Sequence, residues 1–398
     1  MAQLHPFRAV RPSAAGAPDV ASLPYDVITR EQAKEAGRSR PSSFLHVIRP
    51  EINLPNSVDE YSPEVYRRGR IELDRLHSAG IVSRDPQPAL YLYQMSTERN
   101  SQTGLVACCS VDDYASGVIR RHEFTRPSKE DDRVAHIRSL SAHSGPVLMM
   151  YRSTDELSAA IGEADRGEEL FDFFASDQVR HQGWRLERHD RIVHAWDSLQ
   201  SIYIADGHHR AAAAAQVATE RPADGEASRF LCVLFPSDQM RILAYNRYLR
   251  LDRAELESAI SRLSLPVGKG VEGVPSDPGA FCFYAGGEWQ CRELPRIATA
   301  APSENLDIEV FDREVLNPVF GIDDQRTDPR VDFVGGEDSV SRIAERVDAD
   351  GGIGFSFYPV SVSELLDVAD SNSVMPPKST WFAPKLMSGL FIHEFGER

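Results

Sequence analysis

Apolar residues along this chain fall into short runs separated by polar turns, and the runs change period several times. Between Ser62 and Gly80, Tyr66, Leu73 and Leu76 recur near helical spacing, Pro63 fits a first turn and Gly80 the position after a last one. Ala89–Met95 alternates and Gly104–Val111 is apolar, which predicts two strands joined by the polar link Ser96–Thr103. Pro146–Tyr151, Val193–Trp196, Ile202–Ala205 and Phe230–Phe235 are apolar runs of strand length. Five alanines, Ala211–Ala215, then predict a helix shortly after the third of these runs. Further on, Ala254–Leu263, Ser339–Val347 and Val362–Val368 read as helices. Ala280–Leu294 reads as a hairpin about Gly286-Gly287, and Ile353–Tyr358 and Leu390–His393 as strands. Pro266–Pro278, rich in Gly and Pro, is the most linker-like stretch. Helices and strands mix along the whole chain, so the expected fold class is mixed α/β.

Length changes this picture by dividing it. At 398 residues the chain exceeds the roughly 250–300 at which single cores stop growing, and a boundary is expected near residue 250. No apolar stretch approaches the roughly 18 residues needed to span a bilayer, so no membrane partner is expected. Lys and Arg number 44 against 60 Asp and Glu, a formal charge of −16, which disfavours an extended nucleic-acid surface. The start, Met1-Ala2-Gln3-Leu4-His5-Pro6, lacks the order of a secretory signal. The five cysteines have no CxxC spacing. Reduced thiols in a cytoplasmic protein are therefore expected, with the adjacent Cys108 and Cys109 packed in the core.

The densest chemistry lies where Ile202–Ala205 meets the alanine helix, at Asp206-Gly207-His208-His209-Arg210. A helix start carries unpaired N–H groups and partial positive charge, so it attracts an anion. Gly207 permits a tight turn and close approach of a phosphate, and His208, His209 and Arg210 add donors. Asp206 is suited to holding Mg²⁺ or orienting a histidine. The bland alternative is an Asp N-cap beside two surface histidines, but four polar residues on one turn exceed what capping needs.

Two further segments carry phosphate-type residues. In Arg120–Arg133, Arg126, Lys129 and Arg133 are candidate phosphate grips, and Glu123, between His122 and Phe124, is a candidate general base. A solvated charge run is the alternative there. Met375–Lys385 contains Lys378-Ser379-Thr380, like the tail of a phosphate loop, but lacks the preceding glycines of a Walker A. The alternative is a proline-rich turn burying Trp381 and Phe382. Gly351–Gly354 reads as a turn into a strand, and Trp184, Trp196 and Trp289 as packing residues. Twelve histidines show no zinc-type helical spacing, and no GxSxG elbow is present.

Six of these segments together carry a resemblance: PYDVI at 24–28, RHEFTRPSKEDDR at 121–133, GPV at 145–147, IADGHHRAAA at 204–213, YNR at 245–247 and PPKSTWFAPKLMSGL at 376–390. They look like the signature boxes, in order, of the bacterial family called domain of unknown function 1015. The strand–DGHHR–helix element is also similar to the nucleotide-binding box of the ParB/sulfiredoxin superfamily. Some of its members with a DGH-type box phosphorylate free L-serine with ATP or ADP. The ParB branch binds CTP and DNA. Sulfiredoxins carry a catalytic cysteine where this chain has His208 or His209, which speaks against sulfinic-acid reduction.

The resemblance implies a ParB/sulfiredoxin-like nucleotide-binding core elaborated by N-terminal and C-terminal α/β regions. Residues 1–250 would hold that core, and residues 251–398 would return the Lys378 loop to the site. The activity expected first is a nucleotide-dependent phosphotransferase acting on a small hydroxylated metabolite, with ATP or ADP, Mg²⁺ and L-serine. Glu123, Asp206 and His208 would do the chemistry, Asp206 holding the metal. Gly207, His209, Arg210, Arg126, Lys129, Arg133, Lys378, Ser379 and Thr380 would hold the nucleotide. A nucleotide-gated regulatory protein and a metal-dependent phosphoesterase built on Asp206, His208 and His209 are the competing expectations.

Overall fold

The computed structural model describes residues 2–296 and 301–396. The chain divides into two compact units, Met1–Met240 with Pro384–Arg398, and Arg241–Ala383. The first unit is therefore discontinuous in sequence.

Its centre is a nine-stranded mixed sheet. In chain order the strands are β1 (Leu4–His5), β2 (Tyr91–Ser96), β3 (Ser101–Ser110), β4 (Ile119–Arg120), β5 (Val147–Tyr151), β6 (Arg166–Phe174), β7 (Arg180–Leu186), β8 (Ile202–Asp206) and β9 (Arg229–Pro236). Across the sheet they run β4-β8-β5-β9-β3-β2-β7-β6, with β1 added to β3. β8 lies parallel to β4 and antiparallel to β5, and β9 is parallel to β5. The apolar runs become strands because their residues are buried almost without alternation. All six residues Leu105–Ser110 but the last are buried in β3, and all five of β5. Near-continuous burial is the pattern of strands covered on both faces.

Five helices of this unit bear on the site or its surroundings: α1 (Arg30–Arg38), α2 (Pro63–Ser78), α3 (Pro127–Leu140), α4 (Asp190–Trp196) and α5 (His208–Glu220). α5 explains the alanine run. Ala211, Ala212 and Ala214 pack into the sheet's core, while Ala213 and Val217 pack with Val134 and Ile137 of α3, Ala227 and Phe395. A helix enclosed on two sides needs short side chains, and alanine is also the strongest helix former. Val193–Trp196 is the end of α4 and not a strand: Ile192, Ala195 and Trp196 are buried at helical spacing, and four residues were too few to show the period. Of Leu390–His393, Ile392 makes a single antiparallel bridge to Val10, and His393 joins a two-residue pair with Glu394 against Ala142–His143.

The second unit holds a five-stranded sheet of β10 (Asn246–Leu249), β11 (Ala280–Ala285), β12 (Glu288–Glu293), β13 (Val331–Val334) and β14 (Ile353–Phe357), in the order β12-β11-β14-β10-β13. Helices α6 (Arg253–Arg262), α7 (Ser339–Asp350) and α8 (Val362–Asp370) belong to it. Pro266–Pro278 is not a linker. It forms a small hairpin, Gly270–Val271 against Val274–Pro275, inside this unit. The expectation of five reduced thiols is also corrected. Cys282 and Cys291 face each other in the β11–β12 register with Cα atoms 3.9 Å apart and form a disulfide, while Cys108, Cys109 and Cys232 are free and buried.

Candidate functional site

The end of β8 sets the geometry. Gly207 has φ +102°, a left-handed conformation that L side chains avoid, and it turns the chain directly from strand into α5. A Cβ at Gly207 would also lie 2.8–2.9 Å from the Arg210 guanidinium, which folds back over the turn. Arg210 Nη1 donates to the Pro146 carbonyl, and its Nη2 lies 3.9 Å from Asp206 Oδ1. Asp206 Oδ2 accepts from Lys385 Nζ at 3.0 Å. The helix start is thus bordered by two cations and one carboxylate.

Residues 122–126 are strapped across this helix start. The His122 N–H approaches His208 Nε2 at 3.5 Å, and the two rings meet edge to face at 4.5 Å between centroids. The Arg126 N–H donates to His209 Nε2 at 3.0 Å. Between these anchors, Glu123 Oε2 stands 3.8 Å from His208 Nδ1. Burial holds His208 well below the ordinary histidine range, and the neighbouring His122 adds to this. Burial likewise pushes His122 down to about 4. His208 is therefore neutral near pH 7. The Glu123–His208 approach is a carboxylate facing an imidazole N–H, not an ion pair. Because Nε2 accepts from His122, the ring proton belongs on Nδ1, toward Glu123. The Glu123 side chain keeps 38% of its exposure, so solvent and a ligand reach it.

Beside Arg210 lies a small cavity of about 30 Å³, bordered by Tyr25, Arg133, His143, Gly145, Arg210 and Ser388 together with apolar Ile48 and Ile137. Five of the six sequence boxes therefore converge on one spot. Arg133 is buried, with Nε and Nη2 both donating to Asp132 Oδ2 at 3.0 and 2.7 Å, and its guanidinium lies 3.8 Å from the centroid of the Tyr25 ring. Burial, opposed by Arg133, pushes the Tyr25 hydroxyl up to about 12. His143 Nε2 is buried and makes no hydrogen bond among the described residues.

Glu123, Asp206, Gly207, His208, His209 and Arg210 are thus brought together, and Arg133 shares a cavity with Arg210. Arg126 contributes its backbone N–H to this contact. Lys129 instead donates to the Tyr61 hydroxyl at 2.8 Å on an exposed face. Lys378, Ser379 and Thr380 belong to the second unit. There the fully buried Arg247 grips the carbonyls of Tyr245, Pro377 and Lys378, Ser379 Oγ donates to Pro376, and Thr380 pairs with Ala244. Lys378 itself has φ +53°. Lys385, His122 and Tyr25 are members of the site that residue reasoning passed over, whereas His143 was among the histidines, with His136, His208 and His209, that the sequence left free to meet. Lys385, His122 and Tyr25 sit inside quoted boxes, which was the available signal. Among the described residues no group of three or more His, Cys, Asp or Glu side chains is gathered to hold a metal ion. His208 and His209 are turned to His122, Glu123 and Arg126.

Fold and site together define a two-unit mixed α/β protein whose larger unit presents a strand–glycine–helix turn, with a carboxylate and cations around it. The chain belongs to the family described as protein of unknown function (DUF1015), whose sequence profile matches residues 4–309. No curated protein matches it in a sequence comparison. Among solved structures, it is similar to a C-terminally truncated SbnI from Staphylococcus aureus, at 12% identity and TM-score 0.39, over 71% of this chain and 85% of that one. It is similar to a free serine kinase in complex with AMP, at 13% identity and TM-score 0.38, over 72% of this chain and 92% of that one. A conserved hypothetical protein from Pyrococcus furiosus matches at 12% identity and TM-score 0.36, over 72% of this chain and 94% of that one. No helix among the described residues is long and apolar enough to cross a membrane.

Proposed function

We propose that the larger unit is a nucleotide-dependent phosphotransferase acting on a small hydroxylated metabolite, with free L-serine the first acceptor to test. The observation that carries this reading is the partly exposed Glu123 carboxylate held against buried, neutral His208 at the start of α5. Phosphoryl transfer asks a protein for positioning and charge neutralisation. The Gly207–Arg210 helix start and Lys385 would meet the phosphates. The acceptor oxygen would attack the terminal phosphorus, forming one P–O bond as the bridging P–O bond to the departing nucleotide breaks. Glu123 would take the proton of the acceptor hydroxyl, with the neutral His208 ring 3.8 Å from that carboxylate. Mg²⁺ is usually held by one or two carboxylates plus phosphate oxygens, and Asp206 is the carboxylate that fits. Mg²⁺ would supply charge neutralisation between the phosphates.

The test is a turnover assay read by mass spectrometry and ³¹P NMR. ATP or ADP, Mg²⁺ and L-serine or a panel of hydroxylated metabolites are incubated with the protein. A phosphorylated acceptor formed in equal amount to the product nucleotide is the expected result. Nucleotide binding with no turnover across the panel would favour a nucleotide-gated regulatory protein instead. No nucleotide binding at millimolar concentration would remove both readings.

A further inference from the structure

Apart from the turn at Gly207, the first unit contains a cavity of about 290 Å³, near the lower edge of the volumes that small-molecule sites occupy. Its walls are largely apolar: Leu23, Ile28, Leu45, Phe173, Phe174 and Met387. Phe173 is fixed by stacking on His181, with ring centroids 5.4 Å apart, whereas Phe174 at the rim is 66% exposed. An exposed aromatic at the mouth of an apolar cavity is a surface awaiting a ring.

Three polar residues, Ser22, Arg40 and Ser176, interrupt that lining, and the first two carry the argument. Ser22 is 4% exposed, and its Oγ is buried with no hydrogen-bond partner. A buried hydroxyl left unpaired costs free energy that a ligand acceptor would recover. Arg40 is the single charged residue of the lining, and no Asp or Glu faces it there. Its Nη2 holds the carbonyls of Pro18 and Ala21, while Nε and Nη1 make no hydrogen bond among the described residues. An uncompensated guanidinium with donors to spare, at the edge of an apolar space, selects for a carboxylate.

We propose that this cavity is a second small-molecule site, taking an aromatic monocarboxylate with its ring between Phe173, Phe174 and Met387 and its carboxylate on Arg40 and Ser22. The site stands apart from the phosphotransferase reading and does not depend on it.

The probes are phenylacetate and indole-3-acetate, with neutral phenylacetamide as control, followed by calorimetry and saturation-transfer NMR on the full chain. Submillimolar binding of the carboxylates is expected, at least tenfold tighter than the amide and unchanged by saturating ATP. Arg40→Gln should weaken the carboxylates at least tenfold while leaving the amide unaffected. Ala36→Phe, which fills the cavity from α1 and leaves Arg40 in place, should abolish binding of all three. Absence of carboxylate binding, equal binding of the amide, or unchanged binding in Ala36→Phe would each overturn the proposal.

Discussion

Glu123 and Gly207 carry the sharpest consequences at the scale of single residues. If Glu123 accepts the acceptor's proton, Glu123→Gln keeps the shape and removes the base. General-base loss typically costs about 10²–10⁴-fold. Turnover is expected to fall at least about a hundredfold, with nucleotide affinity within about threefold, as read by steady-state kinetics beside calorimetry. Gly207 answers to geometry instead of charge. Gly207→Ala places a Cβ at φ +102° and against Arg210, and a residue forced into such a region costs about 1–3 kcal/mol. A drop of that size in urea unfolding, with looser phosphate binding as Arg210 is displaced, is the expected outcome. The candidate turn itself was legible in the sequence, because strand, glycine and alanine helix are local patterns. The pairing of Glu123 with His208 was not, since 85 positions separate them and side-chain approach is decided by the sheet and α3.

At the scale of elements, α5 shows how composition follows from position. Ala213 is fully buried between α5 and α3, in the cluster with Val134, Ile137 and Val217. Ala213→Leu adds three carbons to a packed space, and overpacking of this kind costs about 1–3 kcal/mol. The expected result is a lower unfolding midpoint with an unchanged urea slope. Elements with long, regular patterns, such as α2 and the β11–β12 hairpin, were readable from apolar spacing and turn glycines. α4 was misread because its visible apolar run covers barely one turn, where helix and strand periods coincide. The Cys282–Cys291 pair was unreadable by spacing rules, since cross-strand register, not CxxC proximity, brings those sulfurs together.

On the scale of the whole molecule, buried histidines of the larger unit make its stability sensitive to acid. Burial pushes His122, His136 and His181 down to about 4 and His143 to about 3, with Arg133 adding to the effect on His136 and His393 on His143. All four lie in the larger unit. Unfolding returns each to about 6.5, so the unfolded state binds more protons between roughly pH 6.5 and 4. Stability is therefore held above pH 6.5 and lost as pH falls toward 4. Near pH 5 these four histidines contribute roughly three to four protons to the uptake on unfolding, opposed in the smaller unit by Asp307 and Asp312, whose carboxyls burial pushes up to about 6 and about 7. Imidazole NMR titration of these histidines in the folded protein from pH 7 to 4.5 checks this, and a ring that titrates near 6.5 would show that it is not buried neutral.

Local order was determined by the sequence alone where the pattern runs long enough: most of the helices and strands, that the chain is mixed α/β, and that a strand–glycine–helix turn bears phosphate-type side chains. Those properties follow from periodicity and backbone preference within a dozen residues. Tertiary structure alone decided that residues 384–398 belong with the first unit and carry Lys385 to Asp206. It also decided that residues 122–126 strap the start of α5, and that Tyr25, Arg133, Gly145, Arg210 and Ser388 surround one cavity. The physical reason is the same in each case. Such contacts are selected by burial and hydrogen-bond satisfaction over the whole unit, and no window of sequence contains the competing partners.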